Sequence, residues 1–484
     1  MIGRLEESRI IKDAAHMDRS QFIVVYGRRR VGKTYLIRET FDYSFSFSHT
    51  GIEGAAMREQ LEAFTESLSE QGLPDVECPK SWIEAFSLLK KLLRSSPAGR
   101  KVVFIDELPW MDTPRSRFVR ALENFWNGWC SARKDIVLVV CGSATSWMIR
   151  TVLRNKGGLF NRANRVLCLE PFTLQQCEEY MKERGCSLSR REIVEGYMAF
   201  GGSPYYWSLL DKSLSMAQNI DRLCFTSAGE LAGEFKRLYA SVFRRPEKYL
   251  RIITSLYDRK EGLTREEIAQ KSKIQATGKL TLLLEELEEC GFLRRYSPLG
   301  RKTRGTVYQL MDNFTIFHLQ FMAGKSSARR GFWLSNVDTP MRNAWEGIAF
   351  ERVCMWHQDA IKAALGISGV SSEISSWRSA LKTGGAQIDM LIDRADGVIN
   401  ICEMKFSRGE FSIGDAYAKR LRDRIQLFKD ETGSRKSVHL TFMTTYGIKR
   451  NENAAIVQSE VTLDDLFIPM QLRSLRARIV KPYD

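Results

Sequence analysis

Residues 27–34 read Gly27-Arg28-Arg29-Arg30-Val31-Gly32-Lys33-Thr34, the spacing G-x-x-x-x-G-K-[ST]. Ahead of them Phe22, Ile23, Val24, Val25 and Tyr26 form an unbroken apolar run, the pattern of a strand buried on both faces. Behind them Thr34-Tyr35-Leu36-Ile37-Arg38-Glu39 has the character of a helix. Strand, glycine loop and helix in this order predict a parallel α/β sheet, with the loop leaving a strand and entering a helix N-terminus. In that geometry backbone N–H groups turn inward on a phosphate and the helix end adds a positive field. Lys33 is expected to reach β- and γ-phosphates and Thr34 to hold Mg²⁺, so residues 27–34 are the expected cofactor-binding set for a nucleoside triphosphate.

A hydrolytic site needs carboxylates at a neighbouring strand end. Lys101-Val102-Val103-Phe104-Ile105-Asp106-Glu107 supplies them, with Asp106 expected in the Mg²⁺ shell and Glu107 as the group that orients or deprotonates water. A further apolar run, 136–142, ends in Ser143, Ala144 and Thr145, which read equally as a γ-phosphate sensor or a helix cap. Residues 82–93 have the spacing of an amphipathic helix packed on the sheet. Arg162, or alternatively Arg165, is a candidate for transition-state charge.

In order along the chain come Ile2-Gly3-Arg4 with Glu6, the phosphate loop, Asp106-Glu107, Asn161-Arg162 before Glu170-Pro171-Phe172, and Gly201-Gly202-Ser203-Pro204. This series resembles the prokaryotic AAA-type ATPases of the STAND class. Asn161 stands where members often carry Gly. The resemblance implies ATP as the nucleotide, a switch rather than a processive motor, and a helical lid whose G-x-P motif is Gly202-Ser203-Pro204.

The 484 residues exceed one core, and four segments are expected: an ATPase core at 1–170, a helical lid at 171–240, a winged helix at 241–325 and a last domain at 326–484. In the third, Thr264-Arg265-Glu266-Glu267 is a capping box, Thr277 can cap the next helix, and two strand-like runs flank a turn. Glu285, Glu286, Glu288 and Glu289 would repel phosphates from that helix. Arg294, Arg295, Arg301, Lys302 and Arg304 make a basic wing, which reads equally as a backbone contact or as a solvated or protein-docking hairpin.

In the fourth, Gln387-Ile388-Asp389 and Cys402-Glu403-Met404-Lys405 lie on two alternating runs around Ala395-Asp396-Gly397. A hairpin turning on Asp396 places Asp389 opposite Glu403. Two acids with Lys405 two residues on make a hard-cation site with its own activating group. This pattern resembles the restriction-endonuclease-like nucleases. The resemblance implies Glu351 (Glu346 second) as a helical metal ligand beside Asp389 and Glu403, Mg²⁺ or Mn²⁺ as the metal, and Lys405 as the catalytic cation. Tyr417, Lys419 and Arg420 could contact phosphates, and His357 reads mainly as packing. A cross-strand ion pair is the competing reading.

Lys and Arg outnumber Asp and Glu 73 to 58, for a net charge of +15 and a pI near 9.3, which suits a nucleic-acid partner. DNA is favoured over RNA, and a homo-oligomer or a regulatory protein remains open. No apolar run nears the roughly 20 residues of a bilayer span. Ten scattered cysteines and a charged start fit a cytoplasmic protein without a signal peptide. An ATP switch governing a nuclease-like domain is expected, with a signalling or scaffold ATPase as the alternative.

Overall fold

The computed structural model describes residues 1–154, 157–159, 161–243, 245–297, 299, 305–324, 330–379, 381 and 385–469. The chain divides into two compact units. Among the described residues the first holds 1–171 with 238–243, and the second 172–237 with 245–469.

In the first unit, strands β1 (Gln21–Gly27), β2 (Phe47–Thr50), β3 (Lys101–Asp106), β4 (Ile136–Gly142) and β5 (Arg165–Leu169) form one parallel sheet in the order β2-β3-β4-β1-β5. Every residue of β1 and β4 is buried, as continuous Val/Ile runs require in a sheet covered on both faces. On one face Phe64, Trp82, Phe86, Phe118 and Phe125 pack among Val24, Val103 and Leu138. On the other, Ile11, Ala14, Leu36 and Ile37 cover Ile23, Val25 and Val139. The helix predicted over 82–93 runs Trp82–Ser95, opened by Ser81, whose side chain accepts the Glu84 N–H. This confirms a P-loop type α/β sheet.

The second unit begins with helices through residues 174–237. Gly202 lies against the residue that opens this unit: Phe172 N–H donates to Gly202 O at 2.6 Å. A Cβ on Gly202 would meet Phe172 O at 1.9 Å, so no other residue fits there. Pro204 follows at the first turn of a short helix, where its missing N–H costs nothing.

Residues 246–310 then run helix Pro246–Tyr257, β6 (Leu263–Thr264), helix Arg265–Ser272, helix Gly278–Glu289, β7 (Leu293–Tyr296) and β8 (Val307–Leu310). The strands form an antiparallel sheet in the order β6-β8-β7. The capping box at Thr264 and Glu267 forms, whereas Thr277 occupies its cap position without a side-chain bond. Of the expected basic wing, Arg294 turns inward to Gln309 Oε1 at 2.6 Å and Arg295 pairs with Glu288 at 3.5 Å. Arg301, Lys302 and Arg304 lie outside the described residues.

The last sheet contains β9 (Ser372–Arg378), β10 (Gln387–Arg394), β11 (Val398–Lys405), β12 (Ser437–Thr444) and β13 (Ser459–Thr462), in the order β13-β12-β11-β10-β9. β9, β10 and β11 pair antiparallel, and β11, β12 and β13 parallel. Ile399 and Ile401 face Ala418, Leu421 and Phe428 of the helix Asp415–Thr432. The helix Pro340–Trp356, capped by Thr339, packs on β11 as well. Because strand side chains alternate, Glu403 and Lys405 continue the Ile399–Ile401 face toward the carboxyl end of β11.

Candidate functional site

The phosphate loop leaves β1 at Gly27, whose φ of 144° belongs to glycine and whose Cβ position lies 2.3 Å from Leu169 O. Gly32 caps the helix Lys33–Thr40 in the left-handed region. Arg28, Arg29 and Arg30 are half-buried, and Arg29 lies 3.7 Å from Glu53. Val31 is fully buried, and its carbonyl accepts from Arg4 Nη2 at 3.1 Å. The same nitrogen donates to Glu170 O at 2.6 Å, while Arg4 Nη1 pairs with Glu7 at 3.3 Å. Arg4 thus ties the loop to the end of β5, and its guanidinium is only 5% exposed. Arg4→Ala is expected to destabilise the first unit by about 3 kcal/mol, because Glu7 would lose its buried partner. Differential scanning calorimetry checks this, and an unchanged Tm would contradict it.

The Lys33 ammonium is 5% exposed and rests on the carbonyls of Gly27 and Arg28, each at 3.0 Å. A cation held by neutral carbonyls at a glycine loop fits an anion arriving there. Thr34 Oγ1 donates to Asp106 Oδ2 at 2.6 Å, so these two oxygens stand close enough to share one Mg²⁺ shell. Asp106 also accepts the Glu107 N–H at 2.8 Å and takes a contact from the Cys141 thiol, whose pKa burial pushes up. Glu107 has a left-handed backbone, φ 46° and ψ 47°, a conformation that costs a non-glycine residue about 1 kcal/mol and aims the carboxylate across to β4. There Ser143 donates to it twice, from N at 3.0 Å and from Oγ at 2.8 Å. Ser143 therefore grips Glu107 and does not cap the following helix, which has no side-chain cap.

The two candidate arginines lie away from their own phosphate loop. β5 runs parallel to β1 with Arg165 beside Ile23 and Leu169 beside Gly27. Arg165 thus lies four residues, about 13 Å, below the loop, and donates to Asn164 O at 2.8 Å. Arg162 comes earlier still, exposed in the turn whose Asn164 N–H reaches Phe22 O. Both sit toward the amino-terminal end of the sheet, opposite their own phosphate loop. The sequence order put them near a strand but could not tell which end.

In the second unit the hairpin has the predicted register: Met390 pairs with Cys402, Leu391 with Ile401 and Asp393 with Ile399. One step further along that register, Asp389 comes opposite Glu403. Both line a cavity of about 590 Å³, together with Glu351, Lys405, Gln387, Arg420 and Arg424, and with Lys260 from the turn before β6. Asp389 Oδ1 accepts from Gln387 Nε2 at 2.6 Å. Glu403 Oε1 accepts from Lys405 Nζ at 2.8 Å and Tyr417 OH at 2.5 Å, and Oε2 from Arg424 Nη1 at 2.7 Å. Burial alone would raise the Glu403 carboxyl, but Lys405 and Arg424 outweigh it and hold the group below the usual range.

Burial, reinforced by the charge of Asp389, pushes Glu351 up to about 7. An acid raised by folding keeps its proton longer in the folded state, so stability falls as pH climbs from about 4.5 through 7. Glu351→Gln is expected to flatten that part of the stability–pH curve measured by urea unfolding. A parallel curve for both proteins would contradict this.

Glu351, Asp389 and Glu403 reach one cavity, yet among the described residues no three His, Cys, Asp or Glu side chains gather in metal-holding geometry. Cations from the protein already occupy both oxygens of Glu403. Glu346 is buried and pairs with Arg342 at 2.8 Å. His357 is structural: burial lowers it to about 4, Nε2 accepts the Leu174 N–H at 3.0 Å, and Nδ1 lies 2.7 Å from Val353 O. Lys419 is exposed and outside the cavity lining. Lys260 and Arg424 were missed, because a lysine in a distant turn and one arginine among several on a helix carry no spacing signal. No helix among the described residues is long and apolar enough to cross a membrane.

Comparison with known proteins gives a match of residues 1–210 to a family described as an ATPase domain predominantly from Archaea. An uncharacterized protein of Methanocaldococcus jannaschii is 25% identical over 364 residues, covering 73% of this chain and 76% of its own. Among solved structures, the Walker-type ATPase of Pyrococcus abyssi is similar at 17% identity and a TM-score of 0.49, over 66% of this chain and 96% of that one. A STAND protein with a tetratricopeptide repeat sensor from Pyrococcus horikoshii is similar at 18% identity and a TM-score of 0.30, over 76% and 48%. Over residues 1–210 the chain is thus similar to an archaeal type of ATPase domain, and the match supports ATPase function for this part.

Proposed function

We propose that the chain is an ATP-driven switch coupled to a metal-dependent DNA nuclease domain. The observation that carries the second half is the cavity at the end of the β10–β11 hairpin, where Asp389, Glu403, Lys405 and Glu351 come together. The order helix, three strands, helix, strand around it is consistent with the restriction-endonuclease-like reading. Elements 246–310 have the order of a winged helix, and the basic charge favours DNA as partner.

At the first site Lys33 would exchange the carbonyls of Gly27 and Arg28 for phosphate oxygens, and Thr34 with Asp106 would hold Mg²⁺, which would supply charge neutralisation for the phosphates. Glu107 has to leave Ser143 before it can take a proton from water, so its release is part of the switch. Arg162 would act as an arginine finger only on a second copy, which makes a homo-oligomer part of the reading. At the second site Asp389 and Glu403, with Glu351, would hold Mg²⁺ or Mn²⁺ against the scissile phosphodiester. Lys405 would orient water or stabilise the charge that develops on the phosphate.

The clamp on Glu403 favours a second reading, a signalling or scaffold ATPase whose last domain only binds nucleic acid or protein. Incubating the full chain with linear, circular and branched DNA and Mg²⁺ or Mn²⁺, with and without ATP, decides between them. Metal-dependent cutting supports the nuclease. DNA retained without cutting, with ATP hydrolysis intact, supports the binding module.

A further inference from the structure

Phosphoryl transfer at the first site develops negative charge on phosphate oxygens, and Arg162 and Arg165 stand at the other end of the sheet. The phosphate loop carries a cation of its own. Arg29 lies in mid-loop, half-buried, with its guanidinium 3.7 Å from Glu53. Glu53 belongs to the segment that follows β2, and this segment is fixed to the hydrolytic corner. Gly51 N–H donates to Asp106 O at 3.0 Å, and a Cβ on Gly51 would meet Glu107 O at 2.7 Å. The buried Gln60 holds Ile52 from both sides, accepting its N–H at 3.1 Å and donating to its carbonyl at 2.6 Å. Gln60 also donates to Trp110 O at 3.1 Å, and Trp110 N–H donates to Glu107 O at 3.0 Å. In the sheet β4 and β3 stand between β1 and β2. The Arg29–Glu53 pair therefore joins the loops after β1 and β2 across the end of the sheet that carries Asp106, Glu107 and Ser143. At 3.7 Å, with both partners partly exposed, the pair is a weak tether. A phosphate offers the same guanidinium two parallel, charge-assisted N–H bonds.

We infer that Arg29 is a catalytic residue of the ATPase, which leaves Glu53 for the γ-phosphate bound to its own chain and stabilises the transition state there. The inference rests on the reading of the first site as ATP-hydrolysing. In that step a water oxygen bonds to the γ-phosphorus while the bond to the β–γ bridging oxygen breaks. The electron pair of that bond leaves with ADP, and a water proton passes to Glu107. Arg29 stays protonated throughout and donates N–H bonds to the phosphate oxygens.

The test compares the full chain with its Arg29→Ala variant in steady-state phosphate release and in calorimetric binding. The two ligands are ADP and ADP with aluminium fluoride, which mimics the phosphoryl group in transfer. Arg29→Ala is expected to lower kcat about 100-fold or more and to bind ADP as wild type does. Its affinity for the aluminium fluoride complex is expected to fall by about tenfold or more. A kcat within about threefold of wild type overturns the assignment. Equal losses in binding ADP and the aluminium fluoride complex mark a structural role and overturn it as well. Mixing the Arg29→Ala and Lys33→Ala proteins tests action on the same chain. Turnover is expected to stay at the sum of the two variants, and recovery toward wild type overturns the assignment, because Arg29 would then serve a neighbour. Wild type that binds no ADP overturns the nucleotide reading itself, and the role of Arg29 with it.

Discussion

Lys33→Ala is expected to lower ATP hydrolysis by at least about 100-fold, measured as steady-state phosphate release. Lys33 is buried at the loop and, among the described residues, rests on the carbonyls of Gly27 and Arg28, so its charge is arranged for phosphate oxygens and its loss removes stabilisation where negative charge grows. The fold should survive, because truncation leaves the Gly27 and Arg28 carbonyls beside the open phosphate cradle. Glu107→Gln makes a useful contrast. It retains the Ser143 contacts and ATP binding but lacks the base, so turnover is expected to fall about 100-fold or more with ATP affinity unchanged. Hydrolysis near the wild-type rate in the Lys33 variant would mean the loop holds its phosphates through other groups.

Lys405→Ala is expected to abolish DNA cleavage, a loss of about 1000-fold or more, while DNA binding persists through Lys260, Arg420 and Arg424. Lys405 lies 2.8 Å from Glu403 on the same strand, and under the proposed nuclease reading it is the group that would meet the scissile phosphate. A gel assay for cutting, beside a filter-binding assay for retention, separates the two effects. Cleavage undiminished in the variant would place the chemistry elsewhere on the chain.

Much of this was readable along the sequence. The phosphate loop announced β1, its turn and the helix Lys33–Thr40, because glycine backbone freedom, an apolar run and a Lys-Thr pair leave few alternatives. The hairpin register followed from Gly397 in a short turn, since period-two alternation fixes which residues face each other. Contacts between distant segments were not readable. That Arg4 pins Val31 and Glu170, that Ser143 grips Glu107, and that Arg424 sits on Glu403 depend on how separate segments pack. That Arg162 lies at the end of the sheet away from its own loop was not readable either, because it depends on β5 running parallel to β1.

The central claim is that nucleotide state governs cleavage. The most direct test compares cutting by wild type without nucleotide, with ATP and with ADP, beside Glu107→Gln locked with ATP. A switch predicts at least a tenfold difference between the ATP and ADP states, with the Glu107 variant fixed at the ATP level. Cleavage at one rate in all four conditions would contradict it, leaving an ATPase and a nuclease that share a chain without coupling.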